Sequence, residues 1–134
     1  MSTIRTDYLQ SLDASQPAMT LVSDGTVAMH SGQAFPTIPQ NVSASGYTLV
    51  KSDAGKHLYM AGLVTLPTTT YDVGDVVTVI NSGTVTMNVI QGAGTTLRLA
   101  GDGTAGNKTI DAYGIGTILC VQSGVFFIGG TGVV

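Results

Sequence analysis

Residues 75–91 read Asp-Val-Val-Thr-Val-Ile-Asn-Ser-Gly-Thr-Val-Thr-Met-Asn-Val-Ile-Gln. Two runs of β-branched residues flank Asn81-Ser82-Gly83, a triplet rich in turn formers, so the stretch predicts a β-hairpin of Asp75–Asn81 and Thr84–Gln91. Side chains alternate across a strand. Val77 and Val79 would share one face, as would Val85, Met87 and Val89, with Thr84, Thr86 and Asn88 opposite. Nothing here repeats at helical spacing, and the rest of the chain follows suit.

Working outward, the 134 residues include 19 Thr, 18 Gly and 15 Val, but no Glu and no Trp. Thr and Val lose side-chain freedom in a helix and pack well on a pleated surface. Gly supplies the positive-φ turns that many short strands need. From Gly46 on, further strands are expected at Tyr47–Lys51, Lys56–Met60, Leu63–Leu66, Thr96–Leu99 and Thr109–Asp111. Gly116–Gln122 and Val125–Ile128 follow, joined by Gln122-Ser123-Gly124. Short strands separated by turn signals indicate a sandwich or barrel, and the absence of a βαβ pattern argues against a parallel α/β sheet. Residues 1–43 differ in texture, holding Pro17, Pro36 and Pro39. There Tyr8, Leu9 and Leu12 suit an irregular arm or first strand better than a short helix, and Leu21 to Met29 suits a small hairpin around Ser23-Asp24-Gly25.

Charge narrows the function. Charged residues make up 10% of the chain, against about 25% in an ordinary domain. So weakly charged a surface resists self-association poorly, and part of it is expected to be buried against copies of itself or a larger body. The last hairpin supplies a candidate: its strands are apolar on both faces, which marks Leu119, Val121, Val125 and Phe127 as candidate subunit-interface residues. The tail Gly129 to Val134 suits a path beside a symmetry axis. A net charge of −3 and five scattered basic residues give no stripe for phosphates, so no nucleic-acid partner is expected. No run approaches a membrane span and no signal peptide is evident. A product made in the cytoplasm is expected.

Catalytic and cofactor motifs fail on context. Gly101-Asp102-Gly103-Thr104-Ala105-Gly106 fits a dinucleotide fingerprint, but a strand rather than a helix should follow it. The same context, and the intrusion of Asn107 before Lys108-Thr109, rejects a phosphate-binding loop. Asp102, Asn107 and Asp111 lack calcium-loop spacing and are better read as turn residues. His30, His57 and Cys120 do not assemble a nucleophilic triad on paper, since Cys120 sits mid-strand as a buried thiol would. Asp72 and Asp75 flank a turn glycine, in place of a glycosidase pair. No enzyme activity, cofactor or metal is expected.

Three segments carry a family resemblance. Gly46-Tyr47-Thr48-Leu49-Val50-Lys51-Ser52-Asp53-Ala54-Gly55-Lys56-His57 resembles the opening of a β-domain common in virion proteins of tailed bacteriophages, where a similar strand–turn–strand leads to a hydrophobic hairpin. Here Asp72 to Asn81 stands in that place. Leu97 to Ile110 and Val125 to Gly132 fit the family's closing glycine-rich segments, and Met1 to Asp7 is similar to short N-terminal segments of phage fibre-like proteins. The resemblance implies a trimeric particle protein with a C-terminal β-knob and an N-terminal attachment segment. The expectation is therefore an all-β chain: an antiparallel, jelly-roll-like β-sandwich knob over 44–134, an arm over 1–43, and a homotrimer. Ile4, Tyr8, Leu9 and Leu12 are the candidate particle-attachment residues. The expected role is a non-enzymatic capsid decoration or head-fibre protein of the virion, whose partners are itself and a phage capsid or tail protein. The alternative is a small tail fibre or spike that contacts host-surface glycans, with Tyr71 or Tyr113 as the aromatic contact.

Overall fold

The computed structural model describes residues 38–43, 46–68 and 70–134, together with the backbone of three short strands nearer the start. Those strands, β1 (Tyr8–Leu9), β2 (Met19–Leu21) and β3 (Val27–Met29), form an antiparallel sheet in the order β1-β2-β3. Pairing of Leu21 with Val27 makes β2 and β3 the hairpin that Ser23-Asp24-Gly25 predicts. The chain divides into two compact units, Met1–Thr37 and Ile38–Val134.

The second unit is almost wholly β-structure. Among the described residues, the one helical element is a single 3-10 turn, Lys51–Asp53. Six strands make one mixed sheet: β4 (Gln40–Ser43), β6 (His57–Met60), β8 (Val76–Asn81), β10 (Thr96–Leu99), β12 (Ile115–Gln122) and β13 (Val125–Gly129). Four make another: β5 (Tyr47–Thr48), β7 (Leu63–Thr65), β9 (Met87–Ile90) and β11 (Lys108–Ile110). The spatial orders are β10-β13-β12-β8-β6-β4 and β11-β9-β7-β5. From β4 to β12 each strand lies in the other sheet from the one before it.

That alternation departs from the antiparallel expectation. A chain that leaves a sheet, runs through the other and returns comes back beside its earlier strand in the same direction. β4, β6 and β8 are accordingly parallel neighbours, as are β5, β7 and β9. Parallel neighbours need a crossover between them, most often a helix; here a strand of the second sheet supplies it. Antiparallel pairing enters later, between β9 and β11 and along β8-β12-β13, and β10 lies parallel to β13. Of the predicted hairpins in this unit, β12–β13 forms as expected, with Gln122 opposite Val125 and Gly124 at φ +71°.

The Asn81-Ser82-Gly83 hairpin does not form, because β8 and β9 belong to different sheets. Asn81 is buried. Its Nδ2 donates to the carbonyls of Val85 (2.8 Å), Ile110 (3.1 Å) and Asp111 (2.9 Å), while its Oδ1 accepts from the Gly83 amide at 2.9 Å. The side chain thus does at a corner what a ladder would do in a hairpin, pairing backbone groups that no strand reaches. Val85 is left exposed rather than sharing the buried face of Met87 and Val89.

Both sheets contribute to one core. Leu58, Met60, Val77, Val79, Ile118, Cys120, Phe126 and Ile128 come from the larger sheet; Val64, Met87, Val89 and Ile110 come from the smaller. Tyr71 meets Phe126 edge-on, with centroids 5.9 Å apart at 71°, a favoured aromatic geometry. Space is tight: a Cβ on Gly116 would lie 2.9 Å from Ile110 Cδ1. Two strand edges are covered from within. Residues 103–106 fold back on β10 through Leu99 N–H to Thr104 O, Gly103 N–H to Leu99 O and Gly106 N–H to Leu97 O. The tail runs along β11, with Thr109 and Val134 exchanging both amide bonds. The tail thereby covers the β11 edge of the smaller sheet. Covering edges blocks pairing with other chains.

If the corner is what orders β8 and β9, Asn81→Leu should cost about 3 kcal/mol in urea unfolding, since the carbonyls lose a shared buried donor. Val85→Thr should stay within about 0.5 kcal/mol of wild type, as for an exposed residue. A hairpin would reverse that ranking.

Candidate functional site

Strand alternation places one set of larger-sheet side chains in the core and the other on the opposite face. Register aligns the second set into rows. Arg98, Phe127, Leu119 and Val76 are successive partners across β10, β13, β12 and β8. Ile115, Ile80, Tyr59 and Val42 are successive partners across β12, β8, β6 and β4. Between these apolar rows runs a polar one, Gly129, Thr117, Thr78, His57 and Gln40. The Thr78 and Thr117 hydroxyls lie 3.3 Å apart, as do His57 Nε2 and Gln40 Oε1.

Of the four residues expected at a subunit interface, Leu119, Val125 and Phe127 lie on this face. Leu119 and Phe127 are direct partners, and Val121 sits at the bulge where the β12–β13 register shifts between Cys120 and Gln122. Leu119 and Val121 are each 39% exposed, with Val125 and Phe127 half-buried beside them. The second row, Val42, Tyr59, Ile80 and Ile115, was not anticipated. Its signal was present in Ile80, which follows Val77 and Val79 on the other face of β8, but a hairpin reading draws attention to one face of that strand. Of the expected attachment residues, Tyr8 and Leu9 contribute backbone to β1, and Ile4 and Leu12 lie outside the described residues, as does His30.

The motif residues of Tyr47 to His57 have structural work. Asp53 is buried. Its Oδ1 accepts from Asn41 Nδ2 at 2.9 Å, and its Oδ2 accepts from the Tyr47 hydroxyl and the Val50 amide, each at 2.9 Å. One carboxylate thereby joins β4, β5 and the 3-10 turn. Burial, with the Asp53 carboxylate next, pushes the Tyr47 phenol up from its ordinary value. Beyond the turn, Lys51 Nζ bonds Asp72 Oδ2 at 2.8 Å and also reaches Asp75. The Lys51 ammonium, followed by the Asp72 amide, holds the Asp75 carboxyl below its ordinary range. The acidic pair predicted to mark a turn is thus bridged by a cation across the turn.

The other motifs are absorbed by the fold. In the Gly101–Gly106 loop the Gly103 and Gly106 amides are spent on carbonyls of β10, and strand β11 follows where a helix would have to open. Asp102 Oδ1 accepts the Thr104 amide at 2.6 Å, which lowers its carboxyl below the ordinary value. Cys120 is buried, its Sγ 3.3 Å from Gln122 O, and burial raises the thiol above its ordinary value. Among the described residues, no group of three or more His, Cys and Asp side chains is placed to hold a metal ion.

Two tyrosines divide sharply. Tyr71 is 5% exposed and belongs to the core, so it offers no ring to an outside ligand. Tyr113 is 72% exposed and takes φ +59°, the one positive φ at a non-glycine among the described residues. No family model matches the chain, and no curated protein matches it significantly.

Lys51→Met tests the bridged acidic pair. It should lower the melting temperature slightly at pH 7, since exposed pairs contribute little. A carboxyl held low in the fold adds stability above its ordinary pKa of 3.8 and loses it as pH falls through the lower folded value. Wild type and variant should therefore melt together in strong acid, below the Asp75 folded value. A gap persisting there would show that packing of the lysine stem, rather than charge, is responsible.

Proposed function

We propose that this chain is a non-enzymatic structural protein of a bacteriophage virion surface. It would be a homotrimeric decoration or head-fibre protein, bound to the capsid through residues 1–37. In this reading residues 38–134 form a β-sandwich knob, because Gln40–Ser43, expected in the arm, is a strand of the larger sheet, and the row-patterned face of that sheet meets copies of itself.

The observation that carries the reading is that face. It sets two apolar rows on either side of one polar row, with Arg98 at its edge and no Asp or Lys within the rows. Large contiguous apolar patches on a soluble chain mark interaction surfaces, and a closed ring of copies hides them symmetrically. Residues 103–106 and the tail cover β10 and β11, which leaves the face as the larger surface open to copies on that side. The order of the segments that resemble phage virion β-domains supports the particle setting. The Tyr47-to-His57 motif acts as a joint between strands, which fits a structural protein and leaves no residue needing a catalytic role.

Light scattering on the purified chain should give a mass near three chains, and a clean single-chain mass would overturn the assembly. Leu119→Lys with Phe127→Lys should reduce that mass to one chain while leaving the core intact, because both side chains point away from it. Removing residues 1–37 should leave a folded unit that no longer joins particles. Cryo-electron density on the head would support decoration, density on the tail would favour a fibre or spike, and none on the particle would retire the virion reading.

A further inference from the structure

Every copy of the chain brings the same face to a contact between copies, so that contact can offer a buried group only what the rows contain. His57 is the group for which this matters. It sits in the polar row between Gln40 of β4 and Thr78 of β8 and is half-buried. Leu58 and Met60, which alternate with it along β6, are in the core, so the His57 ring stands on the outer face. Its Nε2 lies 3.3 Å from Gln40 Oε1, and a neutral ring with its proton on Nε2 donates to that oxygen.

The strands packed beside the ring present no charge to it. On the outer face β4 supplies Gln40 and Val42, and β8 supplies Val76, Thr78 and Ile80. On β6 itself Tyr59 follows on the same face, and Lys56 precedes the strand. The one permanent charge in the rows is Arg98, on β10 at the far edge of the sheet. Among the described residues the Asp side chains stand elsewhere. Asp53 is buried with Asn41, Tyr47 and the Val50 amide, Asp72 and Asp75 hold Lys51, Asp102 bonds within its own loop, and Asp111 follows β11 of the smaller sheet. A second copy of the face therefore adds Thr, Gln, Tyr and apolar side chains and another cation, but no carboxylate.

When two such faces meet, the apolar rows on either side of the polar row exclude water from the ring. A neutral imidazole is satisfied there by Gln40 and Thr hydroxyls. An imidazolium would be desolvated without a counter-ion, which is costly. Histidine is the side chain whose charge ordinarily changes between pH 5 and 8. Building on the self-contact proposed above, we infer that His57 makes the assembly labile to acid: copies hold together while the ring is neutral and part when it takes up a proton. The free chain, with the ring in water, binds that proton more readily than the assembly does. Association is therefore full above histidine's ordinary range and is lost as pH falls through it. With one His57 per chain, a trimer takes up three protons on parting, and its association constant falls by up to about a thousandfold per pH unit below that range.

The test is light scattering on a dilution series of the full-length chain at about pH 8 and about pH 5, either side of that range, with circular dichroism on the same samples. Wild type should have a mass near three chains at the higher pH and near one at the lower, with its strand signal unchanged. His57→Gln should stay assembled at both. His57→Lys, charged at both, should be a folded single chain throughout. His30→Gln, which changes the chain's other histidine, should keep the wild-type response. Equal association of wild type at both pH values would overturn the switch and leave the assembly standing. So would acid dissociation of His57→Gln as ready as that of wild type, or loss of the strand signal along with the mass. A wild type that is a single chain even at the higher pH would instead overturn the self-contact, and the switch with it.

Discussion

The buried amide of Asn81 is the constraint on which the arrangement of strands depends. A chain that changes sheet at its turns forgoes the ladder bonds a hairpin would supply, and backbone groups at the corner must find partners elsewhere. Asn has two N–H donors and an acceptor on a short side chain, and here the two hydrogens are shared among the carbonyls of Val85, Ile110 and Asp111 while the oxygen takes the amide of Gly83. With the corner satisfied, β8 stays between β6 and β12 while β9 joins β7 and β11. Asp53 does comparable work nearer the start, where one carboxylate gathers Asn41, Tyr47 and the Val50 amide. Two buried polar side chains thus hold together a unit otherwise built from short strands.

Strand content was largely legible in the sequence, and strand partnership was not. Val76–Asn81 and Met87–Ile90 announce themselves through β-branched alternation. The triplet between them, however, satisfies a hairpin and a corner equally well by local rules. What separates the two is the identity of the carbonyls that Asn81 meets, and Ile110 and Asp111 lie far along the chain. Parallel winding leaves no repeat to detect either, since the spacing from Gln40 to His57 differs from that from His57 to Thr78. Where local chemistry suffices, as in the two-residue turn Ser123-Gly124, sequence and structure agree.

The candidate surface was half legible for a related reason. Leu119, Val121, Val125 and Phe127 belong to a true hairpin, and the apolar character of both its faces is readable from the local alternation. The row of Val42, Tyr59, Ile80 and Ile115 is assembled by parallel pairing of strands that no local pattern joins. Tyr113 was visible as an aromatic, but the backbone strain that sets it apart from Tyr71 exists only in the folded turn.

The burial of Cys120 has a kinetic consequence. Its thiol lies on the core side of β12, among Tyr71 and Phe126, and is protonated more firmly than a free cysteine. Alkylation needs an exposed thiolate, so a reagent in excess would modify the closed sheet scarcely at all. Modification would instead be timed by excursions that part β12 from the core. The chain's single cysteine is therefore a built-in clock for local opening at the centre of the larger sheet.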